Sequence, residues 1–417
     1  MPPESPRPTR LYLDHAATSF PKPDAVIEAV QDYATRLGVS PGRGAYREVR
    51  EAAGIVERCR ERLCDLINGE SPNHVIFTLN CSDALNLAIR GLVRASSRER
   101  QHVVTTWMDH NSVLRPLNTL ADEMGDRFAQ IRVEVDPETG IVDPEDIRRA
   151  ITRDTRLVAV VHASNVTGTL QPIAEIGAIC REMAVPLLVD AAQSIGHVPI
   201  DVRAMNIDLL AFPGHKGLQG PLGTGVLYMR PGMEKLIATI REGGTGSRSE
   251  DDTQPTDLPD KYEPGSHNAL GIAGLLAGVE WILDRGIDAI HAHERALIET
   301  FIDGITDRTT GKTLPGLRLL GPQGVMDRVG VFALTVDGMT PHEVADRLES
   351  EFGVLTRAGL HCAPLAHRTF GTDPESVGDP EHAGACRVSV GPMMSVQDVK
   401  YATDALASVC ETAGVRA

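Results

Sequence analysis

The segments LVAVVHAS at 157–164, PLLVDAA at 186–192 and LLAFP at 209–213 decide the fold of this 417-residue chain. Each is a short, continuously apolar run, which is typical of a strand buried on both faces of a parallel sheet. Four further runs share this character: VIFT at 75–78, HVVTT at 102–106, IRVEV at 131–135 and GVLYM at 225–229. Amphipathic stretches such as SDALNLAIRGLV and PIAEIGAICREM lie between them. Strands that alternate with helices at this spacing predict a layered α/β domain.

The rest of the chain predicts a second, smaller domain. The Gly-rich polar stretch at 243–257 ends the run of strands, and a long helix is expected near 269–303. An apolar run at 329–336, a helix from about 341 and FGVLT at 352–356 then indicate an α+β unit. We therefore expect a disordered leader at 1–10, a large α/β domain at 11–280 and a small domain at 281–417. The N-terminal part of the large domain is expected to pack on the small one.

Composition narrows the class of protein. Acidic residues outnumber basic ones 57 to 41, which gives a net charge of -16, whereas a protein that binds nucleic acid needs the opposite balance. No apolar run approaches the roughly 20 residues needed to span a bilayer. The start of the chain has no signal-peptide pattern, so we expect no membrane partner and a cytoplasmic location. The seven cysteines are scattered without a CxxC pair, which argues against a disulfide framework and against structural zinc.

Polar side chains follow the ends of several predicted strands. They are Cys81 and Ser82, His110, Asn165, Asp190 and Gln193, and His215 and Lys216. Singly, such residues are most often caps, turn residues or solvated side chains. Ligands of α/β sheets bind beyond the carboxyl ends of the strands, however, so these side chains are expected to converge on one crevice.

This set of residues fits pyridoxal phosphate. That cofactor needs a lysine for its covalent link, a carboxylate that keeps the pyridine nitrogen protonated and a helix N-terminus for its phosphate. It also needs a flat group to pack against its ring. Lys216, Asp190, the helix start at 80–82 and His110 are candidates for these roles in turn.

The chain also resembles a known family. The motifs SNVTGTLQPI at 164–173, VDAAQS at 189–194, GHKGLQGPLGTGVLY at 214–228, EPGSHN at 263–268 and RAGLHCAP at 357–364 occur in this order. They are similar to those of the class V aminotransferase family of fold type I, and specifically of cysteine desulfurases with a short active-site loop. The resemblance covers LYLDHAAT at 11–18 to RVSVG at 387–391. It implies a mainly parallel seven-stranded sheet in the large domain.

The resemblance also implies roles for single residues. Lys216 resembles the lysine that holds the cofactor, Asp190 the partner of the pyridine nitrogen, and Gln193 the residue that bonds the ring hydroxyl. His110 resembles the histidine that stacks on the ring and moves protons, and Asn165 the asparagine beside ring and substrate. Cys81, Ser82 and His215 belong to the predicted cofactor site, the last two as phosphate ligands. Ser266 stands where the family has a threonine that reaches the neighbouring subunit's phosphate, which implies a homodimer with shared sites.

Substrate binding and sulfur chemistry are implied in the same way. Arg387 resembles the arginine that binds the substrate carboxylate bidentately, and Arg357 is a second candidate for substrate binding. Cys362 is by base rates a buried loop cysteine, and a His361–Cys362–His367 metal cluster would lack a fourth ligand. The resemblance favours a nucleophile whose thiolate His361 and Arg357 help to form. Lys216 would remove the Cα proton of cysteine, and Cys362 would take the sulfur as a persulfide and leave alanine.

Alternatives remain open at this point. An aminotransferase, an epimerase, a selenocysteine lyase or a carbon–sulfur β-lyase would need Lys216 and Asp190 but not Cys362, and a non-catalytic scaffold would need none of them. The family implies a sulfur-acceptor protein and pathways such as iron–sulfur cluster assembly, but the sequence identifies no acceptor. His15, Pro213 and Met393–Met394 depart from the family's usual residues. The polar stretch 372–385 is longer than the family leads us to expect, and its composition predicts a surface loop beside the site.

Overall fold

The computed structural model describes residues 10–42, 44–245, 247, 250–306 and 312–413. Apart from Arg10, the leader expected at 1–10 lies outside these residues. Thirteen strands are described: β1 Leu11–Tyr12, β2 Val75–Thr78, β3 Gln101–Thr106, β4 Phe128–Val133, β5 Thr155–Val161, β6 Leu187–Asp190, β7 Leu209–Pro213, β8 Gly225–Met229, β9 Leu317–Leu320, β10 Val331–Val336, β11 Val354–Leu355, β12 Arg357–Gly359 and β13 Ala385–Ser389.

Twelve α-helices are described alongside them. They are α1 Asp24–Asp32, α2 Arg47–Leu66, α3 Cys81–Arg94, α4 Asn111–Met124, α5 Pro144–Ala150, α6 Ile173–Glu182, α7 Ala269–Arg285, α8 Ile287–Ile305, α9 Pro341–Phe352, α10 Pro364–Thr369, α11 Pro374–Val377 and α12 Val396–Ala413. None of the described helices is long and apolar enough to cross a bilayer.

The predicted seven-stranded sheet is confirmed. Its order is β2-β8-β7-β6-β5-β3-β4, and every neighbouring pair is parallel except the two that involve β8. All seven predicted apolar runs form its strands, although the run predicted at 131–135 begins earlier, at Phe128.

The continuous apolar runs arise because both faces of the sheet are covered. Along β5, Val158 and Val160 pack in a core with α2, α6 and α7, whereas Leu157 and Ala159 pack with α3 and α4 on the opposite face. Burial on both faces removes the alternation of polar and apolar residues that a half-exposed strand would show. Because β4, β3, β5, β6 and β7 are parallel, their carboxyl ends lie together on one side of the sheet.

A second core lies around an antiparallel sheet of order β12-β13-β10-β9. It includes residues of α8, α9 and α12, and β1 joins it because Leu11 pairs in parallel with Val354. These two cores support the division into a large and a small domain, which remains a proposal. The bound expected at 280 lies inside α7, whose Ile282 belongs to the core of the large sheet.

The single helix expected at 269–303 is wrong. Two helices, α7 and α8, occupy this stretch and meet at Gly286, whose φ of 79° lies in the left-handed region that glycine tolerates. The polar stretch 372–385 lies at the surface over most of its length, as predicted, since residues 374–382 are all exposed, although it contains the short helix α11.

Candidate functional site

A cleft opens at the carboxyl ends of β2, β3, β5, β6 and β7. Its empty volume is about 530 Å³, including the open mouth. The sequence-predicted cofactor residues that line it are Cys81, Ser82, His110, Asn165, Asp190, Gln193, His215 and Lys216. These residues therefore lie together beyond the carboxyl ends of the strands, where ligands of α/β sheets are expected to bind. Ser266 is the one predicted cofactor residue that lines a different cleft.

Asp190 and Lys216 face this cleft from adjacent strand ends. Asp190 is buried, and its Oδ1 accepts hydrogen bonds from the Ala192 N–H (3.0 Å) and from the Cys81 thiol (3.6 Å). Within the described residues no hydrogen bond reaches its Oδ2. Burial raises the pKa of Asp190 and lowers the pKa of Lys216. The site therefore holds an amine that is easier to deprotonate than a free lysine, beside a carboxylate with one oxygen available.

The N-terminus of α3 forms another wall of the cleft. The Asn80 side chain caps this helix by accepting from the Asp83 N–H at 3.0 Å. Gly225 is required on the neighbouring strand β8, because a Cβ there would lie 2.3 Å from the backbone carbon of Asn80. Within the described part of the chain, the N–H groups of Cys81 and Ser82 have no hydrogen-bond partner. These groups and the helix dipole make the wall suitable for an anion.

His110 is fixed at the start of α4. Its Nδ1 accepts from the Ser112 N–H at 3.0 Å, which leaves Nε2 as the protonated nitrogen of the neutral ring. Burial and the nearby Lys216 charge lower the pKa of His110 to about 4. Buried Asp109 holds the turn before it, since its Oδ2 accepts from the N–H and hydroxyl of Thr106 at 2.7 and 2.8 Å. The imidazole is thus uncharged and oriented at neutral pH.

The two predicted substrate arginines lie opposite each other on strands of the small sheet. Arg357 on β12 pairs with Arg387 on β13. The guanidinium of Arg387 is buried, with Nη1 donating to the Asn165 carbonyl at 3.1 Å and Nη2 to Asp14 Oδ1 at 2.5 Å. The Arg387 Nε has no partner within the described residues. The side chain of Arg357 has neither a hydrogen bond nor an ion pair within the same residues.

Cys362 is exposed and lies on a turn whose backbone is left-handed. His361 and Cys362 have φ values of 50° and 58°, a left-handed conformation that costs a non-glycine residue about 1–2 kcal/mol. Two contacts hold this turn against residues beside the cleft. Asn165 Nδ2 donates to the His361 carbonyl at 2.6 Å, and the Asn111 N–H donates to the Cys362 carbonyl at 2.8 Å. The exposed thiol is therefore presented on a fixed main chain.

His361 was expected from its position beside Cys362 to help form the thiolate, but its surroundings do not allow this. Its ring is buried and turned away to His367, with 3.3 Å between Nδ1 and Nε2. Burial, the Arg387 charge and His367 lower the pKa of His361 to about 2. The expectation that His361 supplies a cation to the thiol is wrong, because the ring is neutral at physiological pH. The paired imidazoles also offer no cluster of metal ligands, and no group of three ligating side chains converges elsewhere in the described parts of the chain.

Ser266 lies on an exposed segment outside the cleft. The segment is anchored by Glu263, which forms a buried bidentate ion pair with Arg60 and accepts from the Phe77 N–H at 2.7 Å. Large apolar side chains are exposed near it: Leu79 (59%), Leu222 (67%) and Leu270 (41%). Ser266 thus belongs to a surface that combines a small polar residue with exposed leucines.

Sequence reasoning missed several residues that shape the site. Asp14 is the partner of Arg387, although the motif LYLDHAAT that contains it was noted. Asp109 and Ser112 orient His110, and Lys22 donates to the His215 carbonyl at 2.8 Å. The strand-end position of Asp109, beside His110, was the one signal that could have indicated its role.

Comparisons with known proteins agree with this geometry. The family model described as Aminotransferase class-V matches residues 11–402. A probable cysteine desulfurase of Methanothermobacter thermautotrophicus is 36% identical over 88% of this chain and 90% of its own length. Another, from Halalkalibacterium halodurans, is 34% identical over 85% and 84%. The apo structure of a cysteine desulfurase from Thermococcus onnurineus NA1 superposes with a TM-score of 0.86 at 31% identity, covering 97% of this chain and 95% of that one.

Proposed function

The chain belongs to the class V aminotransferase family and, within it, to the cysteine desulfurases, and from this premise we propose how its residues perform the reaction. L-cysteine is the substrate and L-alanine the product, and Cys362 accepts the sulfur. The observation that carries the proposal is the position of the Cys362 turn. It is exposed to solvent, and Asn165 and Asn111 tie its carbonyls to the cofactor cleft.

Pyridoxal phosphate fits the polar groups that the cleft leaves without partners. Asn165 Oδ1 is buried and has no hydrogen-bond partner within the described residues, and Asp190, which also lines the cleft, accepts hydrogen bonds there only at Oδ1. The N–H groups at the start of α3, with Ser82 and His215, suit its phosphate. When bound, the cofactor supplies a protonated pyridine ring that withdraws electrons from the substrate Cα. Asp190 would keep that ring protonated, and Gln193 and His110 would contact it.

The remaining residues would bind the substrate and move its protons. Lys216 would hold the cofactor covalently and, once released, take the Cα proton, a task that its lowered pKa assists. Arg387 would bind the carboxylate through donors that Asp14 and the Asn165 carbonyl leave available, while Arg357 adds positive charge beside it. Neutral His110 would carry a proton with its Nε2.

The sulfur step would use the thiolate of Cys362 as nucleophile. An S–S bond forms between Cys362 and the substrate sulfur while the substrate C–S bond breaks. The bonding electrons stay on the carbon, which takes up a proton and becomes the methyl group of alanine. No external oxidant is needed, because the two electrons that the sulfur gives up on forming the persulfide reduce the substrate carbon to the methyl group.

The position of Ser266 supports a homodimer with shared sites. Ser266 does not line the cleft of its own chain, yet it stands where the family reaches a phosphate. Exposed Leu79, Leu222 and Leu270 lie around it, and leucines of this exposure favour burial against a second copy. We propose that this surface is the dimer interface and that Ser266 enters the partner's cleft.

The acceptor would approach Cys362 past the acidic loop 372–385, in the cytoplasm. Glu375, Asp379 and Glu381 are exposed on this loop, which favours a partner with basic residues at its docking site. All seven cysteines are free thiols. The pathway that the acceptor serves, such as iron–sulfur cluster assembly, depends on the identity of that protein.

Alanine formation tests the proposed function. Protein saturated with pyridoxal phosphate is given L-cysteine and a thiol reductant, and alanine is measured over time. Wild type should turn over many times, whereas Cys362→Ala should form almost no alanine. Cys410→Ala, which removes a buried cysteine of the small domain, is the matched control and should retain activity. Equal alanine formation by Cys362→Ala and wild type would refute Cys362 as the acceptor.

A further inference from the structure

Three side chains form a buried hydrogen-bonded row behind the exposed thiol of Cys362. Thr372 Oγ1 lies 2.8 Å from His367 Nδ1, and His367 Nε2 lies 3.3 Å from His361 Nδ1. The two imidazole rings are stacked, with 5.5 Å between their centroids and 29° between their planes. All three side chains are at most 3% exposed, so water cannot replace these contacts.

The hydrogen bonds of the row all run in one direction, from Thr372 through His367 to His361 and on to the Arg357 carbonyl. His361 Nε2 faces the Arg357 carbonyl at 3.3 Å, and because a carbonyl only accepts, this nitrogen must carry the proton. His361 Nδ1 is then an acceptor, so His367 Nε2 donates to it. His367 Nδ1 is an acceptor in turn, and the Thr372 hydroxyl donates to it at 2.8 Å, a shorter contact than the 3.3 Å from this hydroxyl to the His367 carbonyl. Every polar atom of the row is satisfied by this one arrangement.

The arrangement requires both rings to be neutral, which the surroundings ensure. Burial lowers the pKa of His367 to about 4 and, with the Arg387 charge, the pKa of His361 to about 2. A proton on His361 Nδ1 would face the His367 Nε2–H, and a proton on His367 Nδ1 would reverse the hydrogen bond with Thr372. The row therefore stays intact over the physiological pH range.

His361 needs this support because of its backbone. It and Cys362 both adopt the left-handed conformation, which side chains other than glycine disfavour. Asn165 and Asn111 hold the two carbonyls, but a carbonyl contact alone leaves the His361 side chain free to turn. The row fixes that side chain between β12 and the base of the 372–385 loop, where the Gly384 N–H donates to the Thr372 carbonyl at 2.7 Å.

We propose that His367 and Thr372 are positioning residues for the sulfur-accepting thiol, which they orient by locking His361 behind it. The inference rests on the proposed role of Cys362. It also connects the loop 372–385 to the sulfur-accepting thiol, since Thr372 is the first residue of that loop. A protein bound to that loop would then influence the orientation of the thiol through the two hydrogen bonds that link Thr372, His367 and His361.

The test compares Thr372→Val, which keeps the shape and removes the hydroxyl, with Thr372→Ser, which keeps the hydroxyl. Amide hydrogen exchange across 360–363 is measured on the protein with pyridoxal phosphate and without cysteine. Protection should fall about tenfold in Thr372→Val and remain near wild type in Thr372→Ser. With cysteine, kcat of Thr372→Val should fall about tenfold, or about 1.4 kcal/mol, whereas KM should change little because Arg387 is untouched. Ser376→Ala, on the same loop, is the matched control.

His367→Gln provides a second variant in case Thr372→Val unfolds, and the melting temperature of each protein is recorded. Wild-type exchange and wild-type kcat in both Thr372→Val and His367→Gln would overturn the proposal. Equal losses in Thr372→Val and Thr372→Ser would also overturn it, because the hydroxyl would then not matter. Since exchange is measured without cysteine, it decides the positioning claim even where no persulfide forms, a result that would refute only the proposed function.

Discussion

Arg387 is ion-paired with Asp14, 373 positions earlier in the chain, with 2.5 Å between Nη2 and Oδ1. The arginine predicted to bind the substrate carboxylate thus already has one carboxylate of its own chain. Asp14 offsets the buried positive charge while the site is empty of substrate, and it holds the guanidinium in one orientation. The Arg387 Nε is buried and has no hydrogen-bond partner within the described residues.

Asp14→Asn should therefore destabilise the protein. It leaves the buried Arg387 without a counter-charge, and we expect a loss of roughly 3 kcal/mol of unfolding free energy, the lower end of the range for breaking a buried pair. Saturating L-alanine should restore more stability to the variant than to wild type, because its carboxylate can replace that of Asp14. Denaturant melts with and without alanine measure both effects. The exposed pair of Asp32 with Arg36 supplies the control, and Asp32→Asn should barely shift the midpoint. An unaltered melt of Asp14→Asn would contradict the structural role of the pair.

Lys216→Ala should lose both the covalent link to the cofactor and the base. We expect no visible absorbance from a lysine-bound cofactor and a fall in alanine formation of about 10²–10⁴-fold or more, the range for loss of a general base. Lys235→Ala, at an exposed lysine, should change neither property. If Lys216→Ala kept its bound chromophore and normal turnover, the cofactor assignment would be untenable.

Acidification should weaken the fold through His162. Burial lowers the pKa of His162 to about 4 from 6.5, so the unfolded chain binds a proton before the folded one as pH falls. Its contribution to stability is complete above pH 6.5 and is lost as pH falls toward 4, at about 1.4 kcal/mol per pH unit. In His162→Leu the unfolding free energy should depend less steeply on pH in this window, by about 1.4 kcal/mol per pH unit, which corresponds to one proton fewer taken up on unfolding. Above pH 7 the two proteins should differ by a constant amount. Parallel curves down to pH 4 would show that His162 is protonated in the folded protein.

Mixing subunits tests the shared site. Ser266→Ala homodimers should bind cofactor about 10–100-fold more weakly, the cost of losing a hydrogen bond to a charged group. Lys216→Ala homodimers should be inactive. A heterodimer of the two would contain one doubly impaired site and one intact site, so the mixture should regain activity at a cofactor concentration that saturates wild type. Activity equal to the sum of the separate homodimers would instead mean that each site is built from one chain.

The strands and the cofactor cleft were predictable because they depend on local sequence. A run such as LLVD is apolar at every position only when both faces are covered, and the residue that ends it must lie at the sheet edge. That is why Asp190, Asn165 and Lys216 could be placed together before the structure was known. The single long helix failed because Gly286 is tolerated inside many helices, and only its left-handed φ shows the break.

The contacts that tune the site were not predictable from the sequence. Asp14 and Arg387 meet beside an isolated β-bridge between Asp14 and Ser389, and no local pattern encodes a contact between such distant parts of the chain. His361 was expected to help form the Cys362 thiolate because it precedes that residue, but its charge depends on burial against His367. Neutrality of a histidine is a property of its packed surroundings, which composition and spacing do not reveal.

The central claim, that Cys362 accepts the sulfur, is tested most directly by following the sulfur atom. Protein loaded with pyridoxal phosphate is given L-cysteine labelled with a heavy sulfur isotope, quenched without reductant, digested and analysed by mass spectrometry. We predict one additional heavy sulfur on the peptide that contains Cys362, and none on the peptides of Cys81, Cys386 or the other four cysteines. Heavy sulfur on another cysteine, or alanine formation with no labelled peptide at all, would contradict the account.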